Sequence, residues 1–242
     1  MALVVRSLAA TYYDGFHIEP HRHAWAQLVY AVSGVMSVRA GETLWIVPPA
    51  RAVWAPAGAE HEIRALGDFA MRTVYFAPGL VGHLPRECCA LDVSPLLREL
   101  VLAITAVQLI EEADGEAMRL AAVAIDCIAA SRTLPLHLPL PRDPRAVRLA
   151  ERLRAEPACA LELPALARDA GASARTIQRL FLEETGLRFS EWRQRLRLLH
   201  GASLLGGGSS VTEAGFEAGY SGASAFTAAF RKQFGRTPSQ LA

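Results

Sequence analysis

The sequence predicts an α+β protein of two domains: a small N-terminal β-barrel followed by helices, then an all-α C-terminal domain. Three observations carry this expectation. The first ninety residues are short runs rich in Val, Tyr, Trp and Phe, the hydrophobic period becomes helical from Ser94, and four prolines between Pro135 and Pro144 coincide with a reversal of charge. At 242 residues, with 52% hydrophobic and 20% charged, the chain can bury a core and fits one large domain or two small ones. No repeat period is visible. The longest apolar stretch, Val101 to Ile110, is interrupted by Gln108 and fenced by Arg98, Glu99, Glu111 and Glu112, which is too short to span a bilayer. Four cysteines without CxxC spacing, and an N-terminus without the pattern of a secretory signal, predict a cytoplasmic protein with no membrane partner.

Taken in order, AQLVYAVS, VMSVRA, TLWIV, RAVWAP, HEIRA and FAMRTVYF read as strands bounded by Gly, Pro or Asp. Many short strands with close turn signals point to a barrel or sandwich over residues 1–92. Leu96, Leu97, Leu100, Val101 and Ile104 then recur at helical steps, and a second helix over 116–130 carries Leu120, Val123, Ala124, Cys127 and Ile128 on one face. This helical segment, 93–131, must bury its stripes against the barrel or against a second copy of the chain. Proline restricts itself and the residue before it, so 132–142 reads as a linker. Beyond it, Asp143-Pro144 is an N-cap with proline at the first helical position, and Ser210-Val-Thr-Glu213 is a capping box.

The net charge of +1 hides an asymmetry. Residues 1–141 hold 10 Lys and Arg against 14 Asp and Glu, a formal −4, whereas 142–242 hold 15 against 10, a formal +5. A basic half is a candidate for a polyanionic partner. Within it, LPALARDAGASARTIQRLF reads as helix, glycine turn and helix, with Leu163, Leu166, Ala167 and Ala170 facing Ile177, Leu180 and Phe181. Ser173 caps the second helix, and Arg175, Gln178 and Arg179 lie on its exposed side. Arg and Gln are the residue types that read guanine and adenine edges bidentately. The arrangement recurs over 211–234, and 190–205 reads as one long helix between the units. Two such units on a rigid connector can enter successive major grooves, ~34 Å apart.

Residues 143–242 resemble the DNA-binding domain of the AraC/XylS transcription regulators, on LARDAGASARTIQRLFLEETGLRFSEWRQRLRL and on GYSGASAFTAAFRKQFGRTPSQ. The resemblance implies binding to a double-stranded DNA operator, usually as a homodimer, with RNA polymerase as a further partner. It places base-reading positions at Arg175, Gln178 and Arg179 in the first unit, and at Ala223, Ser224, Thr227 and Ala228 in the second. The second set is short and weakly polar, so the first unit is expected to carry most direct readout. The second then positions the protein on phosphates through Arg231, Lys232 and Arg236. Gly215 stands where the family usually has alanine, at ~1 kcal/mol of helix propensity.

In the N-terminal half, Gly15-x5-His21-x-His23-x3-Gln27-x6-Gly34 and Pro56-x-Gly58-x2-His61 resemble the cupin pattern. The resemblance implies a small barrel with His21, His23, Gln27 and His61 at its mouth, suited to a divalent transition ion such as Zn, Ni or Fe(II). His21, His23 and Gln27 share odd parity and face one way if their strand is continuous. Trp25, Tyr30, Trp45 and Trp54 are candidates to line an effector pocket, with a core role as the alternative. His17 and His83 read as surface groups, and Cys88-Cys89 as structural rather than redox-active. The sequence thus predicts a transcription regulator sensing a small molecule or a metal. The competing expectation is a cupin metalloenzyme fused to a DNA-binding module.

Overall fold

The computed structural model describes residues 2–49, 51–133, 137–235 and 237–240. The chain divides into two compact units, Met1–Gly41 with Trp45–Pro135, and Glu42–Leu44 with Leu136–Ala242. Three residues of the proline-rich linker, 134–136, lie outside the described residues, as does Arg236.

The first unit begins with β1 (Leu3–Tyr12), β2 (His17–His21), β3 (Ala26–Ser33), β4 (Met36–Ala40) and β5 (Thr43–Val47). It continues with β6 (Arg51–Ala55), β7 (His61–Ala65), β8 (Phe69–Phe76), β9 (Cys89–Asp92), helix α1 (Pro95–Val107), β10 (Leu109–Glu111) and helix α2 (Gly115–Ala130). One sheet runs β10-β1-β8-β3-β6-β9, and the other contains β5-β4-β7-β2. The pairings β1–β8, β3–β8, β3–β6, β4–β7 and β2–β7 are antiparallel. Alternation divides the first sheet into two faces. Val5, Leu28, Tyr30, Ala52, Trp54, Val74 and Phe76 join Leu97, Val101 and Ile104 of α1 and Ala121, Ala124 and Ile128 of α2 in one core. Each such Leu, Val or Ile contributes ~1.5–3 kcal/mol on burial. The opposite face carries the row Arg6, Tyr75, Gln27 and Ala55, paired strand to strand across β1, β8, β3 and β6.

Several expectations change here. The helical stripes pack on the sheet, but Leu96 is exposed at the first turn of α1, and the buried face of α2 is Ala117, Ala121, Ala124, Ile125 and Ile128. Val123 is exposed because that face is rotated by one position toward the small alanines, which let α2 approach closely. The run Val101 to Ile110 is not one element. Helix α1 ends at Val107, Gln108 takes φ 71°, and β10 then pairs with β1. His21 and Gln27 do not share a continuous strand, since β2 ends at His21 and β3 begins at Ala26.

The second unit is helical. It comprises α3 (Pro144–Ala155), α4 (Leu163–Asp169), α5 (Ala174–Thr185), α6 (Phe189–Gly206), α7 (Val211–Glu217) and α8 (Ala223–Phe234). Asp143 caps α3 by accepting from the Arg145 amide, Ser173 caps α5 from the Thr176 amide, and Ser210 and Glu213 close their capping box on α7. Phe226 and Phe230 of α8 are fully buried with Leu198, Ala202 and Leu205 of α6, Ala214 of α7 and Ala218 at its C-cap. Helices α6 and α8 meet so closely that a Cβ on Gly201 would stand 2.6 Å from the Phe226 ring. Gly215 is also a contact: a Cβ there would lie 3.1 Å from the Phe226 Cβ. The helix propensity forgone at Gly215 therefore accompanies a tight α7–α8 crossing.

Candidate functional site

Pairing, not strand continuity, assembles the histidines. His21 at the end of β2 stands opposite His61 at the start of β7, and the loop after β2 brings His23 over Gln27. One nitrogen from each of His21, His23 and His61 lies within 4.8 Å of the others. Gln27 is buried, and its Oε1 lies 2.9 Å from His23 Nε2 and 2.8 Å from His61 Nε2, the latter contact bridging the two sheets.

Proton positions follow from the partners. The Nδ1 of His21, His23 and His61 faces the carbonyls of Glu19, Trp25 and Ala59 at 2.9, 2.6 and 3.0 Å. A ring nitrogen facing a carbonyl oxygen carries the proton, so each Nδ1 donates and each Nε2 of a neutral ring is a lone pair. Burial above all, with the His21 and His23 rings close by, pushes His61 down to about 4 against the pull of its Ala59 bond, so it is neutral at pH 7. The Gln27 amide nitrogen donates to Thr73 Oγ1 at 2.7 Å, and that hydroxyl donates to Leu28 O at 3.0 Å. The Nε2 lone pairs of neutral His23 and His61 rings therefore face one amide oxygen with no hydrogen between them. Two arrangements resolve this. A divalent cation among Nε2, Nε2, Nε2 and Oε1 satisfies all four donors. Alternatively the Gln27 amide turns over, donating to both Nε2 atoms while Thr73 turns its hydroxyl to the amide oxygen. The donor set fits a transition ion.

The four aromatics do not line one pocket. Tyr30 and Trp54 face the α1–α2 side, fully buried, with Trp54 Nε1 donating to Pro85 O. Parity on β3 puts Tyr30 opposite to Gln27, which is why sequence proximity misleads. Trp45 is buried on β5, and Trp25 is half-buried with the Arg6 guanidinium 5.2 Å from its ring. His17 is not a free surface group: its Nε2 meets Glu62 at 2.7 Å, and Arg39 pairs with the same buried carboxylate. Arg6, Thr73 and Tyr75 were not anticipated. Thr73 and Tyr75 lie in FAMRTVYF, whose alternation could have placed them on one face, whereas the alternation in LVVRSLAATY that carries Arg6 is obscured by Ser7, Ala9 and Ala10, of low strand propensity.

In the helical unit, α4–turn–α5 and α7–turn–α8 form two helix-turn-helix units flanking α6. Arg175, Gln178 and Arg179 are exposed on α5. Arg179 holds Glu183 at 2.7 Å, and both side chains are more than half exposed, so the pair costs only a few tenths of a kcal/mol to release. Ser173 is exposed at the N-cap. On α8, Ser224, Ala228, Arg231 and Lys232 are exposed, and Ala223 and Thr227 are half-buried. A cleft of about 830 Å³ is lined by Gln178 and Leu182 of α5, Arg188, Arg193 and Arg197 of α6, and Tyr220. Two of these arginines are already engaged. Arg193 donates to the carbonyls of Cys159 and Leu161, and Arg197 to those of Pro157 and Cys159.

A double-sheet barrel with a converging polar site, carried with paired helix-turn-helix units, defines a DNA-binding protein that has its own ligand-binding domain. Residues 4–187 match the AraC-like ligand binding domain and residues 166–242 match a helix-turn-helix domain. The chain belongs to the AraC family of transcription regulators. It is 34% identical over 221 residues to the HTH-type transcriptional regulator NimR of Escherichia coli, covering 90% of this chain and 80% of that one. It is 44% identical over 102 residues to RipA of Corynebacterium glutamicum, covering 42% and 30%. Among solved structures it is similar to ToxT from Vibrio cholerae, with 9% identity, TM-score 0.40 and coverage of 98% and 97%. Among the described residues, no helix is long and apolar enough to cross a membrane.

Proposed function

We propose that this regulator senses a small molecule at a divalent transition ion held by His21, His23, His61 and Gln27, and acts on its operator as a cytoplasmic homodimer. The observation that supports the ion is the convergence of Nε2 lone pairs on the Gln27 oxygen. Their Nδ1–H bonds to backbone fix each ring, so the donors are oriented before anything binds. When bound, the ion supplies a positive charge and a Lewis-acidic contact for an effector atom. Arg175, Gln178 and Arg179 read bases, while Ser224, Thr227 and the methyls of Ala223 and Ala228 touch the second groove. Arg231 and Lys232 neutralise phosphates, so that affinity falls steeply with salt. Effector binding alters transcription only if it distinguishes two states of the protein on DNA, and RNA polymerase is the partner through which occupancy is read.

The enzyme reading requires an acid or base beside the histidines. Glu62, next to His61 in sequence, points to the opposite face and is held there by His17 and Arg39. The same chain is therefore read as a non-enzyme, and turnover lost on His21→Ala would revive the alternative. Metal analysis of the purified protein, against a His21→Ala/His61→Ala control of equal thermal stability, tests the ion. Near-stoichiometric metal that is lost in the control supports it. Metal-free protein in both, after incubation with Zn, Ni or Fe(II), favours the turned Gln27 amide.

A further inference from the structure

Gln27, His61 and Thr73 are closed off from solvent, and one chain of hydrogen bonds joins them. Strand register puts Thr73 in that chain. Tyr75 pairs with Gln27 across β8 and β3, and Thr73 lies two residues before Tyr75 on the same face. Its buried neighbours on β8, Met71, Val74 and Phe76, are apolar. A hydroxyl in such surroundings is kept only where its bonds are made. Thr73 Oγ1 stands 2.7 Å from Gln27 Nε2 and 3.0 Å from Leu28 O. A carbonyl only accepts and an amide nitrogen only donates, whereas a hydroxyl does both, so Thr73 serves either orientation of the Gln27 amide. With Oε1 toward the histidines, Nε2 donates to Oγ1 and the hydroxyl donates to Leu28 O. With the amide turned, its two N–H groups meet Nε2 of His23 and of His61, and the hydroxyl donates to Oε1. The first state satisfies the histidine lone pairs only around an ion; the second satisfies those of His23 and His61 without one.

We infer that Thr73 is a positioning residue for the ion site: its hydroxyl lets Gln27 offer oxygen to an ion and N–H groups to the histidines once the ion has left. The ion is then taken up and given back, not held as a permanent part of the fold. A carboxylate at position 27 has no such second face, because both its atoms are acceptors. The inference rests on the reading of His21, His23, His61 and Gln27 as a divalent-ion site, and it assigns control of the occupancy of that site to Thr73. Valine keeps the branched shape without the hydroxyl. Beside valine, the oxygen-inward amide leaves an N–H without an acceptor, whereas the turned amide leaves only a carbonyl under-bonded. Buried orphan donors are the rarer of the two, so Thr73→Val biases Gln27 toward the turned state and against the ion.

Zn is the probe, added to the full-length protein, with its dissociation constant measured by competition against a chromogenic chelator. Loss of an outer partner of a metal ligand typically costs ~10–100-fold in affinity, so Thr73→Val is expected to bind Zn at least about tenfold more weakly. Thr73→Ser, which restores the hydroxyl, is expected to stay close to wild type. Nuclear Overhauser contacts of the Gln27 side-chain amide, assigned by their loss in Gln27→Glu, report its orientation. They run to the His23 and His61 rings in the metal-free protein and to the Thr73 side chain after Zn is added. Unfolding midpoints check that Thr73→Val is folded; if it is not, the amide contacts in the wild type decide alone. Unchanged Zn affinity in folded Thr73→Val, a serine variant as weak as the valine one, or amide contacts that keep the same partners with and without Zn overturns the inference and leaves the ion reading in place. Wild-type protein that takes up no Zn overturns the ion reading, and the inference with it.

Discussion

Replacing Gly201 with alanine is expected to destabilise the helical unit, although alanine is the better helix former by ~1 kcal/mol. The new Cβ would stand 2.6 Å from two atoms of the Phe226 ring, against an ordinary carbon–carbon separation of ~3.5–4 Å. The ring must retreat by ~1 Å. It cannot do so by a side-chain turn alone, because Phe226 is fully buried, with Tyr220 and Phe230 at centroid distances of 5.5 and 5.4 Å. Helix α8 has to move away from α6, at the ~1–3 kcal/mol typical of overpacking. The net loss is about 1 kcal/mol, or a fall of about 5 °C in the midpoint of a domain this size. Thermal unfolding by far-ultraviolet circular dichroism reads it. A Phe226→Leu partner should relieve the clash, giving a double-mutant coupling above ~0.5 kcal/mol. Because Phe226 lies on the second recognition helix, protection in that half of an operator footprint should weaken more than in the first. A midpoint that rises with Gly201→Ala, with no coupling to Phe226, would refute the argument from close approach.

Other expectations are as direct. Arg179→Ala should abolish discrimination between operator and scrambled DNA, whereas Ser224→Ala leaves it nearly unchanged; competition binding at fixed salt separates the two. Burial pushes the Cys88 and Cys89 thiols up to about 11, with the neighbouring Cys89 and Glu87 adding for Cys88 alone. At pH 8 such a thiol is ~200-fold poorer in thiolate than a free cysteine, so iodoacetamide should label both only after unfolding. Burial raises the Glu62 carboxyl, but the His17 hydrogen bond and the charges of Arg39 and Arg64 outweigh it and hold it below the usual carboxylate range. Its contribution is present above the unfolded value of ~4.3 and lost as pH falls through the lower folded value. The midpoint difference between wild type and Glu62→Gln should therefore be largest near neutrality and close as pH falls below ~4.

The helix-turn-helix units were legible because each signal is local. Gly171, the Ser173 cap and the Ile177, Leu180, Phe181 stripe all lie within a dozen residues, and the chain folds them as written. The strands from Ala26 to Phe76 were legible for the same reason. Strand β1 was not, since LVVRSLAATY alternates weakly and takes its place only by pairing with β8 and β10. The histidine spacing announced a shared site, yet His21 joins it by standing opposite His61 across the β2–β7 pairing, and His61 in turn meets Gln27. The tautomers that make the Nε2 atoms donors depend on backbone carbonyls that no spacing reveals. That Arg6 shares a sheet row with Gln27 becomes visible only once the register of β1 against β8 is known.

The arginines that hold the loop after α3 have a consequence for the DNA. Arg197 grips the carbonyls of Pro157 and Cys159, and Gly219 in the second turn sits against both Arg197 and Ala158. The segment entering the first reading head thus touches the turn of the second, so the heads cannot swing independently about α6. Little freedom is left to freeze on binding, so the proposed reading of two half-sites is expected to depend on helical phase as well as sequence. An operator whose half-sites are separated by five extra base pairs turns one of them to the far side of the duplex. A jointed protein could follow it; this one is expected to release it, as a footprint lost over that half-site would show.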